Sequence, residues 1–197
     1  MSTLTVVAGA NGSGKSTLTK LYADNTLLID PDAIARKIAP ANPSSAAIAA
    51  GRQALTLSQQ YIQLGNSFIV ETTLAGNSYL KLMREVKNLG WLVALVYIGI
   101  ENPNINLQRV RDRVKLGGHN VPETDIFRRY DRSLANLAKA AKIADRLTLY
   151  DNSTNAGHQL IATIEGTQAV IHVQELPKWI DRAILNPWLI EQSLQLS

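Results

Sequence analysis

The chain has 197 residues, of which 46% are hydrophobic and 18% charged, and its formal net charge is +4. This composition is typical of a folded globular protein and excludes a disordered chain. Because cysteine is absent, disulfides, thiolate catalysis and zinc–thiolate sites are excluded. The longest apolar run, from Trp91 to Ile98, is too short to span a bilayer, and no signal peptide is visible. We therefore expect a cytoplasmic protein, whose mild basic balance suits an anionic substrate.

Strand-like and helix-like segments alternate along the chain, which predicts an α/β fold with a parallel sheet and crossover helices. In the first part of the chain we expect strands over Leu4–Ala8, Thr26–Ile29 and Ser67–Val70, and helices over residues 16–23 and 45–64. In the second helix Ile48, Leu55 and Ile62 recur at helical spacing.

The next predicted helix carries Leu80, Met83 and Val86 on one face and stops at Gly90. The following elements are a buried strand over 91–100, helices over 102–116 and 123–143, a strand over 146–150, strands near 159–164 and 169–173, and a helical tail. Trp91 is expected in the core, and Trp179 and Trp188 are expected to pack the tail against the sheet. We interpret residues 1–197 as one domain with a lid at about 109–132 and a C-terminal extension at 159–197.

Residues 9–16 read Gly-Ala-Asn-Gly-Ser-Gly-Lys-Ser and match the phosphate-binding pattern G-x-x-x-x-G-K-[ST] between a strand and a helix. Glycines let consecutive backbone N–H groups converge on phosphate oxygens, and the helix presents its positive end to the same anion. Lys15 is expected to reach the β- and γ-phosphates, and the Ser16 hydroxyl to bind Mg²⁺. The predicted nucleotide-binding residues are Gly9, Ala10, Asn11, Gly12, Ser13, Gly14, Lys15, Ser16 and Thr17.

The motif predicts ATP and Mg²⁺ as ligands, and missing motifs narrow the class of protein. Neither of the guanine-recognition motifs N-K-x-D and T-K-x-D is present, which argues against a GTPase. An ABC-type signature is also absent, and a large motor ATPase needs more chain. What remains is a small kinase, which needs an acid for the acceptor hydroxyl, cations for the moving phosphoryl group and a lid.

Two acidic segments follow predicted strands. Asp30 and Asp32 come after the second strand, and Glu71 ends the third. Because the C-terminal ends of parallel strands share one edge, these acids should face the phosphate loop. Asp32 also fits the first turn of a helix, where it would act as a cap or dipole partner.

Basic residues on both sides of Gly117-Gly118 supply the cations of the predicted lid: Arg109, Arg111, Arg113, Lys115, Arg128, Arg129 and Arg132. Guanidinium groups offer planar, bidentate donors that suit a dispersed phosphoryl charge. The alternative is an ordinary solvated basic face. His119 in the same loop is read as structural, and no function is assigned to His158 or His172.

Four segments together resemble the zeta-toxin family of phosphate-loop kinases: residues 8–17, Asp30-Pro31-Asp32, Glu71-Thr72-Thr73, and residues 113–137. The last contains Gly-Gly-His-x-Val-Pro-Glu and then Arg-Arg-Tyr-x-Arg-Ser-Leu-x-Asn-Leu, which is the most specific part. The resemblance covers about residues 3–152.

The resemblance implies a P-loop fold close to shikimate and adenylate kinases, and transfer of the ATP γ-phosphate to a sugar hydroxyl. In the better-known members the acceptor is UDP-N-acetylglucosamine, and a separate antitoxin blocks the ATP site. Carried over, Lys15 is the phosphate-loop lysine and Asp32 the catalytic base. The remaining implied residues are Glu71 at the substrate or metal, Thr73 at the substrate, and Arg113 with Arg128 or Arg129 in the lid.

This chain is shorter than the larger toxins and carries Asp-Pro-Asp where Asn-Pro-Asp is commoner. We therefore expect its acceptor pocket to differ from theirs. Two other functions stay open. A polynucleotide-end kinase would bind nucleic acid in a salt-sensitive way. A nucleotide-dependent switch or interaction module would hydrolyse ATP slowly and phosphorylate no small molecule.

Overall fold

The computed structural model describes residues 1–22, 26–118 and 120–181, so His119, Trp188 and the end of the predicted tail lie outside the described residues. In chain order the elements are β1 (Thr3–Ala8), α1 (Lys15–Tyr22), β2 (Leu27–Ile29), α2 (Pro31–Ile38), a 3₁₀ helix (Pro43–Ala46), α3 (Ala47–Gln63), β3 (Phe68–Thr72), α4 (Ser78–Asn88), β4 (Leu92–Gly99), α5 (Pro103–Lys115), α6 (Glu123–Ala141), β5 (Arg146–Asp151), β6 (Gln159–Glu165), β7 (Gln168–Ile171) and α7 (Lys178–Asp181). Across these ranges, none of the helices combines the length and the apolar character that a membrane crossing requires.

The strands form one seven-stranded sheet in the order β2-β3-β1-β4-β5-β6-β7. The first five strands in this order are parallel, whereas β6 and β7 form an antiparallel hairpin at one edge. The predicted α/β fold with a mostly parallel sheet and flanking helices is confirmed. Because β1 lies at the centre, with Ala8 opposite Thr72 of β3 and Tyr97 of β4, the loop after β1 opens at the C-terminal edge of the sheet.

Both faces of the sheet are covered by apolar helix faces. On one face α4 buries Leu80, Met83 and Val86, as the sequence predicts. On the same face α6 buries Leu137 and Ala141, with Leu134 partly buried, while its Ile126 packs against Val110 and Val121. On the other face α1 places Leu18 against β1, β3 and β4.

The segment between β2 and β3 differs from the sequence prediction. A helix over 31–38 was not among the predicted elements, because Asp30-Pro31-Asp32 reads as a strand end, although Asp32 was seen to fit the first turn of a helix. In fact Asp30 is its N-cap and accepts a hydrogen bond of 2.8 Å from the backbone N–H of Asp32, with Pro31 at the first helical position. The Asp32 carboxylate therefore lies in the first turn of α2, where it faces the sheet edge.

Helix α3 packs on α2 through small side chains, and the predicted apolar stripe is buried only in part, with Leu55 half-buried and Ile62 packed against the core. Ile48 is 75% exposed, whereas Ala50, Ala54 and Ser58 are buried. Small residues let α3 approach α2 closely, and this requirement overrides the spacing of the larger residues. The two helices form a compact wall beside the C-terminal edge of the sheet.

Candidate active site

The phosphate loop connects β1 to α1 and depends on two glycines in the left-handed region. Gly12 has φ +77° and Gly14 has φ +96°, which L side chains rarely adopt. A Cβ atom on Gly14 would also lie 2.5 Å from Nδ2 of Asn152. Backbone conformation and close packing therefore both require glycine there.

Three side chains from outside the loop donate hydrogen bonds to its carbonyl oxygens: Asn106 to Asn11 (2.7 Å), Asn152 to Ser13 (2.9 Å) and His158 to Gly14 (3.2 Å). All described peptide bonds are trans, so each C=O and the N–H of the same peptide point in opposite directions. The N–H groups turned to the opposite side of the loop are those of Gly12, Gly14 and Lys15. Such an array of donors suits an anion.

The Lys15 side chain forms hydrogen bonds within the loop. Its ammonium group donates to the carbonyl oxygens of Gly9 at 2.7 Å and Ala10 at 3.0 Å. Burial lowers the pKa of Lys15 below its ordinary value, and the nearby carboxylates of Glu71 and Asp32 act in the opposite direction. The structure therefore brings the loop lysine and both predicted acids together.

Glu71 lies near the end of β3 and is buried. Its Oε2 accepts a hydrogen bond of 2.8 Å from the Ser16 hydroxyl, and its Oε1 accepts one from the hydroxyl of Thr19. Thr19 was not predicted, because a threonine inside a helix carries no local signal. The Ser16–Glu71 pair offers oxygen ligands beside the phosphate loop, which is the chemistry that Mg²⁺ prefers.

A cleft of about 190 Å³ opens beside the loop. Its polar lining comprises Asn11, Lys15, Asp30, Asp32, Glu71, Thr72, Thr73 and Arg129. The opposite wall is made of Pro31, Ala35, Ala47, Gly51 and Tyr79. The cleft thus joins the nucleotide loop to the α2–α3 wall, and it gathers Asp32, Glu71 and Thr73 as the sequence predicts.

Tyr79 was not predicted as a site residue, although it lines the cleft. Its hydroxyl is buried and has no hydrogen-bond partner among the described residues. Burial, with a smaller contribution from Asp30, raises the pKa of Tyr79 to about 12. The group is therefore a neutral donor at the edge of the cleft, and its position on α4 gave no sign of this in the sequence.

The two adjacent arginines of α6 differ in placement. Arg129 lines the cleft, where it donates to Asn11 Oδ1 at 3.3 Å and lies 3.4 Å from Asp125. Arg128 is half exposed, pairs with Asp125 at 2.7 Å and is not part of the cleft lining. This arrangement favours Arg129 over Arg128 as the lid arginine of α6.

Two other basic residues of the predicted lid make structural contacts. Arg109 donates to the backbone carbonyls of Asn152 and Thr154, and Arg111 pairs with Glu123. Arg113 lies close enough to the loop for its charge to act on Lys15. The basic cluster is thus partly structural, while the charge of Arg113 acts on Lys15 and Arg129 contacts Asn11.

Comparison with known proteins agrees with this architecture. The sequence model of the Zeta toxin family matches residues 2–159. A protein of Haemophilus influenzae (strain ATCC 51907 / DSM 11121 / KW20 / Rd), described as uncharacterized, is 46% identical over 123 residues, which are 62% of this chain and 88% of that protein.

Similar solved structures include the AvrRxo1-ORF1:-ORF2 complex with ATP (TM-score 0.64, 18% identity, 87% of this chain and 61% of that chain) and the PezAT toxin–antitoxin system of Streptococcus pneumoniae (TM-score 0.62, 16% identity, 100% and 84%). This chain therefore spans 61% of the length of the AvrRxo1 chain. At these identities the similarity shows a shared fold. The family match, which covers most of the chain and supports an ATP-dependent phosphotransferase, shows that this protein belongs to the zeta toxin family.

Proposed function

We propose that this protein transfers the γ-phosphate of ATP to a hydroxyl group of a small molecule bound in the cleft. One observation carries the proposal: a single cleft is lined by Lys15 of the phosphate loop, by Glu71 and by Asp32. Phosphoryl transfer depends on positioning and on charge compensation, and this arrangement offers both.

In the proposed reaction Asp32 accepts the proton of the acceptor hydroxyl. The acceptor oxygen forms a bond to the γ-phosphorus, the bond from this phosphorus to the bridging oxygen breaks, and ADP leaves. Lys15 and Arg129, which both line the cleft, compensate the charge on the moving phosphoryl group. Asp32 can reach the acceptor because α2 begins at the sheet edge and carries this residue in its first turn.

The residues present fit a Mg²⁺ ion. Ser16 and Glu71 would hold it, since the Ser16 hydroxyl at the end of the loop and the Glu71 carboxylate of β3 lie 2.8 Å apart. Mg²⁺ usually keeps several waters and takes phosphate oxygens as further ligands, so two protein ligands are enough. When bound, the ion would neutralise charge on the phosphates.

The acceptor is proposed to be a hydroxylated ring compound. Small side chains on α2 and α3, namely Ala35, Ala47 and Gly51, leave an apolar wall for a ring face. Thr73 and the Tyr79 hydroxyl can bind hydroxyl groups at its edge. Family membership makes UDP-N-acetylglucosamine the first candidate to test, and a separate antitoxin chain the partner to look for.

The direct test incubates the purified protein with ATP, Mg²⁺ and UDP-N-acetylglucosamine and analyses the products by mass spectrometry. We expect a species heavier by one phosphate, lost in Asp32→Asn and kept in Asp112→Asn, whose acid pairs with Lys115 on the surface of α5. Should the sugar nucleotide stay unmodified, a panel of sugars, nucleosides and nucleic-acid ends follows. Phosphorylation of nucleic-acid ends alone would favour a polynucleotide-end kinase, and ADP release without any product would favour an ATPase switch.

A further inference from the structure

Trp179 lies outside residues 2–159, which match the family model, and it contacts the last residues of the neighbouring strands β4 and β5. Trp179 lies on α7 and is buried. Its ring packs directly on Gly99, the last residue of β4, where an added Cβ would lie 2.2 Å from the ring. Any larger residue at Gly99 would therefore displace the indole.

The Trp179 indole also holds a buried carboxylate. Its Nε1 donates a hydrogen bond of 2.8 Å to Oδ1 of Asp151, the last residue of β5. The same carboxylate accepts from the hydroxyl (2.7 Å) and the backbone N–H (2.9 Å) of Ser153. A buried carboxylate needs such donors, so these three bonds fix the path of the chain from Asp151 to Ser153.

Asn152, between these two residues, contacts the phosphate loop. Its backbone N–H donates to the Gly99 carbonyl at 3.0 Å, and its carbonyl accepts from Arg109 at 2.8 Å. Its side chain is buried and donates to the Ser13 carbonyl at 2.9 Å. The Ser13 carbonyl and the Gly14 N–H belong to one trans peptide and point in opposite directions. By holding the carbonyl, Asn152 therefore sets the direction of the Gly14 N–H, which is one of the donors proposed to face the phosphate.

We propose that Trp179 is a positioning residue for the nucleotide: through Asp151 it fixes Asn152, and through Asn152 the Ser13–Gly14 peptide of the phosphate loop. The inference rests on the proposed nucleotide site. It gives the segment after residue 159 a role in ATP binding, since α7 supplies the indole that completes the arrangement. Trp179 donates to Asp151 and does not line the cleft.

The test uses Trp179→Phe, which keeps an aromatic ring and removes the N–H donor. Without nucleotide, we expect the backbone amide resonance of Gly14 to move in ¹⁵N–¹H NMR spectra. With nucleotide, we expect the ATP Kd from calorimetry to rise about fivefold, as for a weakened hydrogen bond, while kcat at saturating ATP changes by less than about twofold.

Trp91→Phe is the matched control, because Trp91 is also buried but precedes β4 at the opposite end from Gly99. It should lower the thermal stability without changing the Gly14 resonance or the ATP Kd. If Trp179→Phe does not fold, Asp151→Asn tests the next contact of the same series, between Asp151 and Ser153, since its amide group would face the Ser153 N–H. The same Gly14 shift and rise in Kd are expected.

Wild-type values for both the Gly14 resonance and the ATP Kd in the folded variant would overturn the proposal. Equal changes in Trp91→Phe would overturn it as well, because they would show a general loss of stability. If the wild-type protein binds no ATP, the proposed nucleotide function fails. The Gly14 resonance, recorded without nucleotide, still decides whether Trp179 positions the loop.

Discussion

The nucleotide side and the acceptor side of the cleft differ in how firmly the backbone and the donors are held, although Ser13 Oγ and Asn106 Oδ1 on the nucleotide side are buried without a hydrogen-bond partner among the described residues. In the phosphate loop, Lys15 holds two carbonyl oxygens and residues of α5 and of the chain after β5 hold three more. On the acceptor side, the Tyr79 hydroxyl has no partner among the described residues, and Arg129 makes only contacts of 3.3 and 3.4 Å. The backbone of the phosphate loop is therefore pre-organised, whereas the Tyr79 hydroxyl and the Arg129 guanidinium can still donate to a ligand.

Apart from Asp32, the largest expected effect is at Glu71, where the two sides meet. In the wild type the Ser16 and Thr19 hydroxyls both donate to the Glu71 carboxylate. In Glu71→Gln the amide NH₂, itself a donor, would face one of these hydroxyls and disturb the contact. We expect kcat/KM to fall about 100-fold and the Mg²⁺ concentration for half-maximal activity to rise. Activity measured over a Mg²⁺ titration checks this.

Glu165→Gln is the control for that experiment, because this acid pairs with Arg146 on the surface of the β5–β6 hairpin. It should leave the titration unchanged. An unaltered Mg²⁺ dependence in Glu71→Gln would remove Glu71 from the metal site.

A smaller effect separates two neighbouring arginines. Arg129→Ala should lower kcat about 30-fold, because Arg129 lines the cleft, whereas Arg128→Ala should change it by less than about threefold. Steady-state kinetics of both variants decide between them. A larger loss of kcat in Arg128→Ala than in Arg129→Ala would mean that α6 rotates when substrate binds and that Arg128 is the lid arginine.

The smallest effect is expected at Tyr79. Tyr79→Phe removes a buried hydroxyl without a partner, so the free energy of unfolding should rise by up to about 1 kcal/mol. The acceptor KM should rise about threefold while the ATP KM stays unchanged. Denaturant unfolding and kinetics on the acceptor that the panel identifies measure both. A less stable variant would show that the hydroxyl has a structural partner.

The difference between the two sides also explains what the sequence could predict. The phosphate loop is a contiguous motif, so its position between β1 and α1 followed directly. Asn106, Asn152 and His158 could not be found, because they are single residues far apart in the chain that only the sheet brings to the loop. No local pattern marks them.

The same reasoning applies to the fold and the lid. The alternation of strands and helices predicted the sheet, but α2 was hidden because its cap, Asp30-Pro31-Asp32, also reads as a strand end. Adjacent residues on a helix point about 100° apart, so Arg128 and Arg129 cannot be told apart until the rotation of α6 is fixed by its packing. Single domain organisation and the lid boundaries stay predictions.

The measurement that tests the central proposal most directly compares ATP binding and phosphoryl transfer in Asp32→Asn. The account predicts an ATP Kd equal to or below the wild-type value, because a negative charge near Lys15 is removed. It also predicts a single-turnover rate lower by a factor on the order of 10²–10⁴, the range for a lost general base. Transfer at the wild-type rate, or loss of ATP binding together with transfer, would contradict the assignment of Asp32 as the base.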